Sequence, residues 1–264
     1  MKKSLFLSLV LILIFAGDGN SYDPKENAIT ITTIYDNYIF TEGPKTDWGY
    51  SCIIEGKEKT ILFDAGTKGD ILFSNINKLK VNPKDVELVV ISHIHLDHTG
   101  GLLPFLDENN KVTVYLPVSF PDEFVRKVKK TGAKVVSVDK PVEICEGVFL
   151  TEEMGGLIKE QSLIVDTSKG LVVLTGCAHP GIVGIVKRAK EVVDKEIYLV
   201  CGGFHLLNKS EDEVNQIISQ FKELGVRKVG ATHCTGDKAI ELFKKAFKEN
   251  FVQMGVGKVI KISE

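Results

Sequence analysis

Short apolar runs and amphipathic stretches alternate along most of this 264-residue chain. The apolar runs are rich in β-branched residues and predict strands over 28–35, 50–54, 59–63, 86–91, 111–116, 134–138, 149–151, 162–166, 171–175, 196–201 and 228–232. Apolar residues at helical spacing predict helices over 70–79, 102–106, 122–130, 182–193, 212–224 and 237–248. Because strands alternate with helices, most regularly after residue 171, the pattern favours an α/β fold.

The amino end has a different pattern. Lys2 and Lys3 precede an uncharged, mostly apolar run over 4–16, and the small residues Gly19-Asn20-Ser21 follow. This predicts a signal peptide over 1–21, a single domain over 22–264 and an exported protein, periplasmic or extracellular. The run is shorter than the roughly 20 residues of a membrane span, so we expect no stable membrane insertion after cleavage. An uncleaved membrane anchor and a mis-assigned start codon are the alternatives.

Composition and charge narrow the classes of partner. With 44% hydrophobic residues, the chain can bury a substantial core. The formal net charge of −2 gives no reason to expect a nucleic acid or an anionic membrane as a partner. We therefore expect a small-molecule substrate, and nothing in the sequence indicates an oligomeric state.

The cysteines do not form a disulfide framework in the sequence. There are five, an odd number, and no pair has CxxC spacing. Cys177 and Cys234 lie next to or near His179 and His233, which favours local chemistry at those positions. The lack of a disulfide pattern contrasts with the predicted export, because exported proteins commonly form disulfides.

The strongest chemical signal follows the predicted strand 86–91. His93, His95, Asp97 and His98 lie within six residues and precede a Gly-Gly pair. In an extended segment His93 and His95 point to the same side and can share one metal ion, while Asp97 and His98 can face a second ion beyond the strand end. Imidazole and carboxylate suit zinc, iron or manganese, and two ions about 3.5–4 Å apart can hold a hydroxide between them. The alternative is a chance cluster of surface histidines.

The remaining histidines, His179, His205 and His233, each follow a predicted strand and lie near glycine. Any one of them alone is explained as a polar turn residue, but together they favour a single metal centre. Asp64 also follows a strand, 59–63. Its carboxylate could orient a ligating histidine or cap the helix predicted over 70–79, and the sequence supports both roles equally.

These motifs resemble a known family. The pattern His93-x-His95-x-Asp97-His98, with Asp64-Ala65-Gly66 upstream, resembles the signature of the metallo-β-lactamase superfamily. The resemblance implies an αββα sandwich of two similar halves, with the metal site at the strand ends between them. Further segments resemble the branch of archaeal dihydropteroate-synthase-like enzymes of methanopterin biosynthesis; they are 175–182, 202–206, 233–236 and Glu42-Gly43.

The resemblance also implies two divalent ions, with zinc favoured over iron or manganese. Its ligand sets are His93, His95 and His179 for one ion, and Asp97, His98 and His233 for the other. Most relatives bridge the ions with an aspartate, where this chain has Cys177. The Cys177 thiolate could bridge the ions, bind one of them or remain unused.

The function expected from these residues is hydrolysis of an ester, phosphoester or related small-molecule bond by a metal-bound hydroxide. Asp97 would also position the nucleophile, and His205 would contact the substrate or protonate the leaving group. One alternative is a transferase that joins a pterin methyl diphosphate to an aminobenzene compound through a C–N bond. Another is a non-catalytic exported metal-binding protein.

Substrate selectivity is expected in the loops over 41–50 and 152–161. Trp48 and Phe204 could stack on a substrate ring, although packing is the commoner role for such residues.

Overall fold

The computed structural model describes residues 28–263, so the predicted signal peptide lies outside the described residues. The strands are β1 Ala28–Tyr35, β2 Ser51–Glu55, β3 Ile61–Phe63, β4 Leu88–Val90, β5 Thr113–Pro117, β6 Lys134–Val138, β7 Val142–Cys145, β8 Val148–Leu150, β9 Leu163–Thr167, β10 Gly170–Thr175, β11 Ile197–Gly203, β12 Lys228–Thr232 and β13 Val259–Ser263. The α-helices are α1 Gly69–Lys78, α2 Leu96–Thr99, α3 Leu102–Glu108, α4 Asp122–Lys130, α5 Ile182–Val192, α6 Glu211–Glu223 and α7 Asp237–Phe247.

The strands form two sheets. The first has the order β13-β1-β2-β3-β4-β5-β6 and is parallel from β3 to β6. The second has the order β12-β11-β10-β9-β8-β7, and β10, β11 and β12 are parallel. The chain completes most of one sheet before it begins the other, and β13 then returns to pair with β1 at the edge of the first.

Three layers of apolar side chains hold the sheets and helices together. One layer lies between the two sheets, a second packs helices α1, α3 and α4 on the first sheet, and a third packs α5, α6 and α7 on the second. The order helix, sheet, sheet, helix is the predicted αββα sandwich. Strand β4 illustrates the pattern, because Val90 belongs to the inter-sheet layer and Val89 to the helix layer. Each such buried side chain contributes roughly 1.5–3 kcal/mol, which explains why this strand is apolar on both faces.

Most predicted elements are confirmed, with shifts of a few residues at their ends. Strands β7 and β13 were not predicted, because both are short, half-exposed segments. Asp97 and His98 lie on the one-turn helix α2, an element that the sequence did not predict. Within residues 28–263, no helix has the length and apolar character needed to cross a membrane.

Both sheets direct the carboxyl ends of parallel strands towards the predicted site. The loop after β4 carries the residues from 93 to 98, and the segments after β10, β11 and β12 carry His179, His205 and His233. Open α/β sheets commonly bind ligands at such strand ends.

Candidate metal centre

His93, His95 and His179 form the first group of potential ligands, which we call the three-histidine group. One nitrogen of each ring lies within 4.8 Å of the others. His93 Nε2 and His95 Nδ1 are 3.2 Å apart, and the His179 ring lies 4.6 Å from the His93 ring and 4.8 Å from the His95 ring. Three imidazole nitrogens at this spacing match an open zinc-type site that leaves a position for water or substrate.

Asp97, His98, Cys177 and His233 form a second group, which we call the mixed group because it offers oxygen, nitrogen and sulfur. Their ligand atoms also lie within 4.8 Å of one another. His98 Nε2 is 3.2 Å from Cys177 Sγ, and Asp97 Oδ2 is 3.3 Å from His233 Nε2. The two groups are adjacent, since the rings of His93 and His98 are only 4.2 Å apart.

Asp64 fixes histidines of both groups. Its Oδ2 accepts hydrogen bonds from His98 Nδ1 at 2.7 Å and from Ser92 Oγ at 2.8 Å. Because the Ser92 hydroxyl gives its only proton to Asp64, its oxygen accepts from His93 Nδ1 at 2.9 Å. The carboxylate therefore orients His98 directly and His93 through Ser92, leaving both Nε2 atoms for a ligand. It does not cap a helix, because Lys68 precedes the first residue of α1.

Glu160 orients His179 in the way that Asp64 orients His98. The sequence did not single out Glu160. Its side chain is buried and accepts hydrogen bonds from His179 Nδ1 at 2.8 Å and from the backbone N–H groups of Cys177, Ala178 and His179 at 2.8–2.9 Å. One carboxylate thus holds the loop that supplies a ligand to each group. No feature of the sequence separates Glu160 from Glu152 and Glu153 in the same loop.

His233 provides the clearest test of whether these residues fit a metal ion. Its Nδ1 donates to Asn37 Oδ1 at 3.0 Å, whereas its Nε2 is buried and has no hydrogen-bond partner. That nitrogen points at Asp97 Oδ2 among the other atoms of the mixed group. A buried nitrogen without a partner is costly unless a ligand satisfies it, and a divalent ion would do so.

Comparison with known proteins explains this arrangement. Residues 49–193 match the Metallo-beta-lactamase superfamily. The chain is also 32% identical, over 287 aligned positions, to the 7,8-dihydropterin-6-methyl-4-(beta-D-ribofuranosyl)-aminobenzene-5'-phosphate synthase of Methanocaldococcus jannaschii, with 90% of this chain and 98% of that protein covered. This chain belongs to the metallo-β-lactamase superfamily.

Solved structures agree. A metal-dependent hydrolase of the beta-lactamase superfamily matches with a TM-score of 0.75 and 30% identity, covering 89% of this chain and 100% of the other. A metallo-beta-lactamase fold protein from Bacillus subtilis matches with a TM-score of 0.66 and 15% identity over 89% of this chain and 99% of the other, a likeness of fold alone. The predicted family and fold are confirmed, and the metallo-β-lactamase fold implies binding of divalent metal.

Burial keeps His93 and His98 neutral, the form in which a histidine binds metal. Removal from water disfavours the charged imidazolium and lowers the pKa of His93 and of His98 to about 3. Both rings are therefore neutral at pH 7 and offer a lone pair. Burial alone would raise the pKa of Glu160, but hydrogen bonding from His179 and the proximity of His93 lower it to about 2. Glu160 is thus a charged acceptor at neutral pH.

The backbone is strained at the same place. Asp64, Ala178, His205 and His233 adopt the left-handed region, with φ of 56°, 62°, 55° and 52°. Each such non-glycine residue costs of the order of 1–3 kcal/mol, and strain of this kind concentrates at functional sites. Lys80 and Lys248, away from this centre, share this conformation, so the strain at His205 is consistent with a place beside the centre but does not establish one.

His205, Trp48 and Cys234 complete the surroundings of the centre. They line a cavity of about 260 Å³ beside the mixed group, together with Leu207, Asn208 and Lys209. Trp48 is half-exposed and donates from Nε1 to Asp97 Oδ2 at 2.8 Å. Phe204 is buried in the helix layer of the second sheet, where its role is packing.

Proposed function

We propose that this protein is a metal-dependent hydrolase that acts on an ester, phosphoester or related bond of a small molecule. The observation that carries the proposal is the adjacency of the three-histidine group and the mixed group beside an open cavity. Divalent ions bound there would lower the pKa of a water molecule towards about 7 and stabilise negative charge on the reacting oxygen. The likeness to a solved metal-dependent hydrolase at 30% identity supports this choice.

Asp97 is the residue best placed to hold the attacking water. It is the partly exposed member of the mixed group, and its Oδ2 lies 3.6 Å from His98 Nε2 and 3.3 Å from His233 Nε2. Burial opposes its ionisation, but His233 and His98 hold the pKa of its carboxyl well below the usual range. An ionised carboxylate that also receives the Trp48 hydrogen bond has one lone-pair direction fixed and others free for water.

The cavities indicate the kind of substrate. A second cavity of about 330 Å³ adjoins the first and is lined by His179, Ile182, Val183, Ile217 and neighbouring residues. Lys209 lines both cavities, is the one lysine or arginine among the described residues that line them, and pairs with Glu213 at 2.7 Å. Apolar walls with a lysine at their junction favour a small molecule that has an apolar part and an anionic group.

His205 contacts a substrate bound in either cavity, since it lines both. The Cys234 side chain raises the pKa of His205, which favours the protonated ring that a leaving group would need. With its ring free of metal, His205 is placed to donate a proton to the leaving group in hydrolysis.

The test is turnover of a panel of phosphodiesters, phosphomonoesters and lactones by protein of measured metal content. We expect hydrolysis of at least one ester class, loss of turnover on chelation and recovery when zinc or manganese is restored. Fully metal-loaded protein without turnover on any class would overturn the proposal and favour a non-catalytic metal-binding protein.

A second candidate is a synthase reaction that joins a pterin methyl diphosphate to an aminobenzene compound. It is favoured by the 32% identity to the Methanocaldococcus jannaschii synthase, which extends over 90% of this chain. In that case the residues of the two groups would serve the diphosphate leaving group, and the hydrolytic panel would be inactive. Release of diphosphate that requires both substrates would establish this function in place of hydrolysis.

A further inference from the structure

We propose a third metal position in this protein, formed by Cys177, His205 and Cys234, which shares the Cys177 sulfur with the mixed group. The two Sγ atoms and one imidazole nitrogen lie within 4.8 Å of one another. Ligands of a tetrahedral zinc ion, at about 2.1–2.3 Å from the metal, stand roughly 3.5–3.8 Å apart, so small side-chain movements complete the site. The proposal concerns metal binding and does not depend on which reaction the protein catalyses.

The ligand chemistry differs from that of the other two groups. Two sulfurs and one nitrogen form a soft set that suits zinc, cobalt or ferrous iron and disfavours magnesium and manganese. Cys177 and Cys234 are buried, whereas His205 is exposed. The site therefore has three protein ligands and an open fourth position facing the cavity, as in zinc sites of the Cys₂His type that bind water or substrate.

The fold makes specific room for the second thiol. Gly203, the last residue of β11, packs against Cys234, and a Cβ atom there would lie 2.7 Å from Cys234 Sγ. The same Cβ would lie 2.4 Å from the Gly176 carbonyl oxygen and 3.1 Å from the His233 ring, so glycine at 203 lets Cys234 sit beside the loop that carries Cys177. His205, two residues later, has a left-handed φ of 55°, and its ring nitrogen lies within 4.8 Å of the same sulfur.

Phosphate, sulfonate or thiol substrates would meet this ion at the cavity wall. His205 would then act on the substrate through the ion, and not as the proton donor assigned above. Metal content separates these two roles, because a proton donor can be replaced without loss of an ion.

The experiment is a cobalt titration of metal-free, fully reduced protein, with bound cobalt counted by elemental analysis and thiolate-to-cobalt absorption recorded. Wild type should bind three ions, one for each group. Cys234→Ser and His205→Asn should each bind two. In wild type Cys177 forms two bonds to cobalt and Cys234 forms one. Cys234→Ser loses the Cys234 bond and, with the third ion, one of the two Cys177 bonds, so thiolate absorption should fall to about a third.

The variants are chosen to preserve the fold. Serine is close to cysteine in size, and asparagine tolerates positive φ better than most residues, so it fits position 205. Cys145→Ser is the matched control, because Cys145 is a buried free cysteine in β7 of the second sheet, outside all three groups. It should retain three ions and full thiolate absorption.

A wild-type total of two ions overturns the third position, whatever the variants bind. So does a Cys234→Ser protein that keeps three ions with unchanged absorption. If His205→Asn keeps three ions and loses turnover, His205 returns to the role of proton donor and the third position is again overturned.

Discussion

The three-histidine group and the mixed group lie side by side but are built differently. His93 and His95 come from one loop after β4, and their group offers nitrogen alone. The mixed group offers oxygen, nitrogen and sulfur, and its ligands come from the helix α2 and from the segments after β10 and β12. The contrast shows how one centre can present two different metal preferences from the same set of strand ends.

The thiol makes the difference. A group containing Cys177 should favour zinc or ferrous iron, while the three nitrogens of the other group accept a wider range of divalent ions. The supporting residues differ as well, since Glu160 fixes His179 and Asn37 fixes His233. Changes confined to one group should therefore affect one ion more than the other, and the following variants test this from the largest expected effect to the smallest.

His93→Ala should have the largest effect. It removes a ligand that contributes Nε2 to the three-histidine group and leaves a buried space that cannot bind metal. We expect loss of the ion from that group and a fall in hydrolysis of about a thousandfold or more, beyond the roughly 10–100-fold typical of changes outside the ligands. Elemental analysis with turnover measures both, and retention of cobalt–thiolate absorption would show that the mixed group survives. Loss of both ions together would contradict two separately held positions.

Glu160→Gln should come next. The amide keeps the shape but cannot serve as a charged acceptor for His179 and three backbone N–H groups at once. Metal affinity of the three-histidine group should fall roughly 10–100-fold, as for other partners of ligating histidines. Competition with a chelator measures this. Glu152→Gln, in the same loop but paired with Arg188 at 2.9 Å, is the matched control and should bind as wild type does. Equal losses in both variants would mean a general loop effect.

Cys177→Asp should change selectivity more than affinity. The carboxylate replaces a soft sulfur with a hard oxygen, so preference should shift from zinc towards manganese by about tenfold or more. Relative binding constants for the two ions at the mixed group measure the shift, with Cys177→Ala as the comparison that lacks any ligand there. An unchanged zinc-to-manganese ratio in both variants would show that Cys177 does not bind metal.

Trp48→Phe should have the smallest effect. It removes one hydrogen bond to Asp97 at the exposed edge of the site. It keeps an aromatic ring beside His233, whose ring centroid lies 5.0 Å from that of Trp48. Loss of about 1 kcal/mol, or roughly fivefold in kcat/KM, is expected with unchanged metal content. A drop in metal content would instead show that Trp48 holds Asp97 in a ligating position.

The sequence predicted His93, His95, Asp97 and His98 from a local signal, whereas the αββα architecture and the assignment of His179 and His233 to the two ions came from the family resemblance. The apolar run of β4 and the spacing of His93 to His98 can be recognised within one short segment. The supporting residues could not be found in this way. Asn37 meets His233 only when the two sheets pack. Glu160 meets His179, and His205 meets Cys234, only when strands of the second sheet pair. A glutamate in a polar loop also has no sequence pattern that distinguishes it from its neighbours.

The most direct test of the central claim is anomalous diffraction at the absorption edge of zinc, from crystals of the zinc-loaded protein. Within these two groups, two peaks about 3.5–4 Å apart are expected, one among His93, His95 and His179 and the other among Asp97, His98, Cys177 and His233; the proposed third position would add a separate peak beside Cys234 and His205. Zinc at only one of these groups in fully loaded protein, with the side chains of the other free of metal, would contradict the two-ion centre and the hydrolytic chemistry proposed for it.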